Sequence, residues 1–151
     1  MYTINTIDRL YARDQMLVAF SQFDHDSCSV SKNIASTIEN NDFENLLEIV
    51  RLCKMNNNEL PTGYDFAIDT YSKIQMILWH NLKSKNNFQR AWEQLFPYLE
   101  KAYFDGKISN SFLYAYDKLS YVHFGYQYYG TISAPVKDEA TLKERQQDYK
   151  L

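Results

Sequence analysis

Four glycines, three prolines and two cysteines are all that 151 residues contain of the usual punctuating and crosslinking residues. So little Gly and Pro leaves few obligatory turns, which predicts long elements joined by short connections. Cys28 and Cys53 are too few for a disulfide framework and fit no zinc-ligand spacing, so two reduced thiols are expected, with one disulfide still open. Also missing is a concentrated basic run. Lys83, Lys85 and Arg90 are the densest stretch, interrupted by Asn86, Asn87 and Phe88. With a net charge of −3, that argues against nucleic acid, whose binding by counterion release needs a basic face. No apolar run approaches membrane-spanning length. The first twenty residues carry Asp8, Arg9, Arg13 and Asp14 inside their apolar pattern, unlike a signal peptide, so no membrane span and a cytoplasmic location are expected. There is no Gly-rich phosphate loop, nucleophile elbow or paired-cysteine metal knuckle, hence no expected cofactor.

What is abundant is aromatic: thirteen Tyr, nine Phe and two Trp, within 45% hydrophobic and 23% charged residues. That composition is globular, and a chain of this length can bury about 70% of its unfolded surface. The periodicity is helical. Thr6 to Phe20 carries Ile7, Leu10, Tyr11, Leu17, Val18 and Phe20 as a stripe, with Arg9, Arg13 and Asp14 placed outside it. Ser31 is placed as the cap of a short helix bearing Ile34, Ala35 and Ile38, which Asn40, Asn41 and Asp42 break. Asp42 then caps a helix with Phe43, Leu46, Leu47, Val50 and Cys53, ending in Asn56 to Asn58. After a turn at Pro61, Thr62 and Gly63, a central helix carries Tyr64, Ala67, Ile68, Tyr71, Ile74, Leu78 and Leu82. Phe88 to Phe104 is another, with Pro97 inside it as a kink or break near Phe96. Ser109 is expected to cap the next, which Gly125 ends, and Asp138 to Tyr149 reads as a polar terminal helix anchored by Leu142 and Tyr149. The fold expected is all-α: one domain over residues 1–151, an array of about six to seven antiparallel helices, with a short extended segment or hairpin near residues 121–133.

Several residues invite a chemical reading. Asp24, His25, Asp26 and Cys28 have metal-ligand chemistry, but adjacent loop residues rarely converge on one ion, so a solvated loop and no metal site is the reading adopted. His80, on a side shared with Asp69, Lys73 and Met76, is a general base or a satisfied core group. Asp117 sits mid-helix, where Asp is a poor former and wants a reason: a bond to the Tyr-rich segment, or a place in a cleft. Gln127, Tyr129, Gly130 and Thr131 concentrate directional hydrogen-bonding groups around a permissive glycine, suiting a ligand site or an anchor between helices. Tyr121, Phe124, Tyr126, Tyr128 and Tyr129 suit stacking on a sugar or base, or core packing.

The order of motifs adds to this. Asp14-Gln15, Leu60-Pro61-Thr62, Trp79-His80, Pro97 with Gly106, Asp117-Lys118, Gln127-Tyr128-Tyr129-Gly130-Thr131 and Arg145-Gln146 follow one another along the chain. The series resembles that of a family of uncharacterised bacterial proteins, a domain of unknown function. That family has Asp-Gln, a Trp-Pro-Thr-like turn, Gln-His, a Pro-containing helix ending in Gly, Asp-Arg, Gln-x-Tyr-Gly-Thr-Gln and Arg-Arg. The chain departs from it at Trp79, Lys118, Ile132 and Gln146, where the family has Gln, Arg, Gln and Arg. The resemblance implies that His80, Asp117, Gln127, Tyr129 and Arg145 converge, and implies no activity.

The function expected is a noncatalytic binding or interaction module. Gln127, Tyr129, Gly130, Thr131 and Arg145 would line a groove for a protein, peptide or small polar ligand. One alternative is a hydrolase-like or transferase-like enzyme with His80 as base and Asp117 orienting it, Tyr129 or Arg145 stabilising charge. Another is an immunity or accessory protein for a cognate partner.

Overall fold

A computed structural model describes residues 2–23, 28–61 and 70–151, with the side chains of 2–5, 17, 18, 20–23 and 28–32 left aside. The fold is all-α. Among the described residues there are six helices and no strand: α1 (Tyr2–Phe23), α2 (Cys28–Met55), α3 (Thr70–Lys83), α4 (Phe88–Phe104), α5 (Ser111–Phe124) and α6 (Leu142–Asp148). No described helix is long and apolar enough to cross a membrane. The chain divides into two compact units, Met1–Lys107 and Ile108–Leu151. The Asp24–Asp26 loop and the Thr62–Asp69 part of the expected turn and central helix lie outside the described residues.

In unit 1, α1, α2 and α3 pack against one another, and α4 packs on α2 and α3. Their shared core is Ile7 from α1, Leu46 and Ile49 from α2, Ile74, Ile77, Leu78 and Leu82 from α3, and Phe88, Leu95 and Leu99 from α4, all essentially without solvent contact. The expected break at Asn40 to Asp42 does not occur, because α2 runs unbroken from Cys28 to Met55. Asn and Asp lose only about 0.7 kcal/mol each to alanine inside a helix, and tertiary bonds offset that here. The buried Asn81 donates its Nδ2 to the carbonyl of Asp42 at 2.7 Å and to that of Ile77 at 2.9 Å. Asn87 Nδ2 donates to the carbonyl of Glu39 at 2.8 Å. The helix ends where expected, with Asn57 and Asn58 at φ 56 and 59, a left-handed pair that asparagine tolerates better than most residues.

Likewise α4 continues through Pro97, which excludes a break. A left-handed turn closes it: Gly106 has φ +70, and Lys107 N–H reaches back to the carbonyl of Ala102 at 2.9 Å.

In unit 2, α5 reaches Phe124 and ends at Gly125, φ +80, so Tyr121 to Phe124 are helical and not extended. Ser109 is not its cap. Asn110 holds that position without a side-chain cap bond, its Nδ2 donating instead to the carbonyl of Tyr149 at 2.9 Å. Residues 126–137 form a loop whose ladder content is one parallel bridge between Gln127 and Val136, with Gln127 N–H on Pro135 O at 2.8 Å and Lys137 N–H on Gln127 O at 2.9 Å.

Candidate functional site

Two polar constellations stand out, one in each unit. In unit 2 the centre is Asp117, fully buried in α5. Its Oδ1 accepts the N–H groups of Tyr128 and Tyr129 at 2.7 and 2.9 Å, and its Oδ2 accepts the N–H and hydroxyl of Thr131 at 2.9 and 2.8 Å. Gln127 clamps the far side of the same loop, donating to the carbonyls of Ile132 and Ala134 at 2.7 and 2.6 Å and accepting from Ile132 N–H at 3.0 Å. Arg145, on α6, donates Nε to the carbonyl of Tyr128 at 2.9 Å and Nη2 to that of Asp138 at 2.6 Å, its guanidinium 4.0 Å above the Tyr128 ring. Gly130 (φ +81) has no room for more, since a Cβ there would stand 2.7 Å from Gln146 Nε2 and 3.0 Å from Leu142 Cδ1. Tyr129, also buried, meets Tyr116, Tyr128 and Tyr149 edge-on. Asp117, Gln127, Tyr129, Gly130, Thr131 and Arg145 are thus brought together, the loop being bonded to α5 through Asp117 and to α6 through Arg145. Tyr121 and Phe124 remain exposed.

His80 belongs to unit 1, and its carboxylate partner is Asp14. The Nδ1 of His80 stands 2.9 Å from Asp14 Oδ1 and 2.8 Å from Oδ2. A third residue, Asp42, completes the group: Asp14, Asp42 and His80 each offer one ligand atom within 4.8 Å of the others. Three of the four helices of unit 1 contribute, α1, α2 and α3 in turn. Both carboxylates are buried, Asp14 at 0% and Asp42 at 5% exposure. Burial, and next the Asp14 charge beside it, push the Asp42 carboxyl up to about 6. Gln15 Nε2 donates to Asp14 Oδ2 at 2.9 Å, while Asp42 Oδ1 and Asn45 Nδ2 find no hydrogen-bond partner among the described residues.

Compared with known proteins, the chain matches no family model, no curated protein and no solved structure. Next to the carboxylate pair along both helices, a cleft of about 530 Å³ opens between α1 and α2, lined by Thr6, Arg9, Leu10, Arg13, Asn41, Glu44 and Glu48. Arg13 donates Nε to Asn45 Oδ1 at 2.8 Å, and Glu48 accepts from Arg51 at 2.7 and 2.5 Å, which holds its carboxyl below the ordinary range. Arg9 and Glu44 line the same cleft and carry no hydrogen bond or salt bridge among the described residues, and the Arg9 charge also acts on Glu48.

Sequence reading placed Asp14 outside the α1 stripe, and the structure corrects this. Positions 7, 10, 11, 14, 17 and 18 share one helical face, so Asp14 is a charged residue set in the middle of an apolar stripe. That gap was the available clue. Asp42 was hidden differently, by its suitability as a cap.

Proposed function

We propose that the chain is a noncatalytic binding module whose α1–α2 cleft receives a small polar ligand or peptide end bearing both signs of charge. The observation that carries this reading is that Arg9 on α1 and Glu44 on α2 line one cleft, neither held by a hydrogen bond or salt bridge among the described residues. A guanidinium suits a carboxylate by its planar fork, and a glutamate suits an ammonium group. Leu10 adds an apolar side chain to the lining. A ligand that satisfies both charges loses one of two contacts if its own charges are capped, so the cleft discriminates by termini.

Titration calorimetry of the full chain against free amino acids and short unblocked peptides, each beside its blocked counterpart, tests this. Binding of an unblocked compound that weakens by about tenfold or more in Arg9→Ala and in Glu44→Ala supports the reading, one such contact being worth roughly 1.4 kcal/mol or more. Both residues are exposed, so the variants fold. Failure of the whole panel to bind, or equal binding by the variants, overturns it.

A further inference from the structure

Beside the cleft, and independent of it, we infer that Asp14, Asp42 and His80 form a site for one divalent first-row transition-metal ion. Three ligand atoms from three helices lie within 4.8 Å of one another, a few tenths of an ångström from the spacing a common ion imposes. Ligands held at about 2.1 Å by a six-coordinate ion stand about 3 Å apart when adjacent and about 4 Å when opposite. The 2.8 and 2.9 Å between His80 Nδ1 and the two Asp14 oxygens match the adjacent case, the ion taking the place of the shared proton.

A second observation points the same way. Asp42 is more than nine-tenths buried, and its Oδ1 has no hydrogen-bond partner among the described residues. A buried carboxylate oxygen with nothing to accept from is rare enough to demand an explanation, and a cation supplies one. Two carboxylates packed together in a low-dielectric interior repel each other, and a dipositive charge reverses the sign of that interaction. The surroundings also resemble those of metal ligands, which are oriented by outer hydrogen bonds. Gln15 holds Asp14 at 2.9 Å, and Asn81 holds the backbone of Asp42 at 2.7 Å. Asn45 adds a buried amide donor lacking an acceptor, on α2 three residues from Asp42, suited to an oxygen of a remaining ligand.

Donor type sets the class of ion. Two carboxylate oxygens with one imidazole nitrogen suit Mn²⁺, Fe²⁺, Co²⁺ or Zn²⁺, whereas Ca²⁺ prefers an all-oxygen shell and Mg²⁺ keeps most of its water. The buried Cys53 is outside the group, so soft thiolate chemistry plays no part.

The full chain, stripped by chelator, is titrated separately with Zn²⁺, Co²⁺, Mn²⁺ and Mg²⁺, followed by calorimetry and, for Co²⁺, by visible absorption. One ion per chain, micromolar or tighter for Zn²⁺ or Co²⁺ and much weaker for Mg²⁺, is expected, with a change in the His80 imidazole proton resonances on adding Zn²⁺. Asp42→Asn, nearly isosteric, should weaken binding by more than the roughly tenfold lost with an outer partner, and Gln15→Ala by about that much. Saturation without a histidine signal, equal affinity in wild type and Asp42→Asn, or no saturable binding overturns the site. Should Asp42→Asn fail to fold, the wild-type His80 resonances and Co²⁺ spectrum decide alone.

Discussion

A carboxylate in the middle of a helix needs a reason, and Asp117 has four, all hydrogen bonds from residues 128 to 131. Asp117→Asn keeps the shape but presents an amide donor to the Thr131 donors. It is expected to destabilise the protein by about 1–3 kcal/mol, read from the urea midpoint, and to speed amide exchange at Tyr128, Tyr129 and Thr131. An unchanged midpoint would show that the loop does not depend on this residue. Cys53 offers a pH test. Burial pushes its thiol from 9.0 up to about 12, so the folded state holds its proton more tightly than the unfolded chain does. Its contribution to stability is therefore complete below pH 9 and lost as pH rises towards 12. The difference between wild-type and Cys53→Ala stability should shrink over that window, and Cys53 should resist thiol reagents at neutral pH until the protein unfolds. At this scale the sequence was legible where one residue broke a local rule, as Asp117 does. It was opaque where the partners are remote. Nothing local ties Asp14 to a histidine 66 positions away, because only tertiary packing brings them together.

Helix existence was easier to read than helix extent. The stripe of α4 is regular enough to give its ends, Phe88 and Phe104, and its loss of one backbone donor at Pro97 is tolerated. Gly125 ends α5 through the positive φ that its position requires. By contrast α2 was expected as two helices, since Asn40, Asn41 and Asp42 look like a boundary. The carbonyls of Glu39 and Asp42 are instead bonded by Asn87 and Asn81, so side chains distant in sequence reinforce a locally weak stretch. A direct test separates a weak helix from a boundary. Asn40 is exposed, and Asn40→Ala should stabilise the protein by up to about 0.7 kcal/mol if the position is helical. A loss of stability would instead argue for a capping role.

Across the whole molecule, stability in unit 1 rests on a layer of aliphatic side chains between four helices. Leu78 is 1% exposed at its middle, and Leu78→Ala should cost about 2–5 kcal/mol through the cavity it leaves. A chevron or equilibrium melt showing less than about 1 kcal/mol would mean that the surrounding helices close over the gap. The division of the chain at Lys107 and Ile108 has an optical corollary. Both tryptophans, Trp79 and Trp92, lie before that division, and no indole lies beyond it, where seven of the thirteen tyrosines are found. Fluorescence excited through indole alone therefore watches unit 1 and is blind to unit 2, whose own melting must be followed through its phenols. Trp79 also adjoins His80 in the chain, so a quenching ion that settles there would dim the emission of the protein without any label being added.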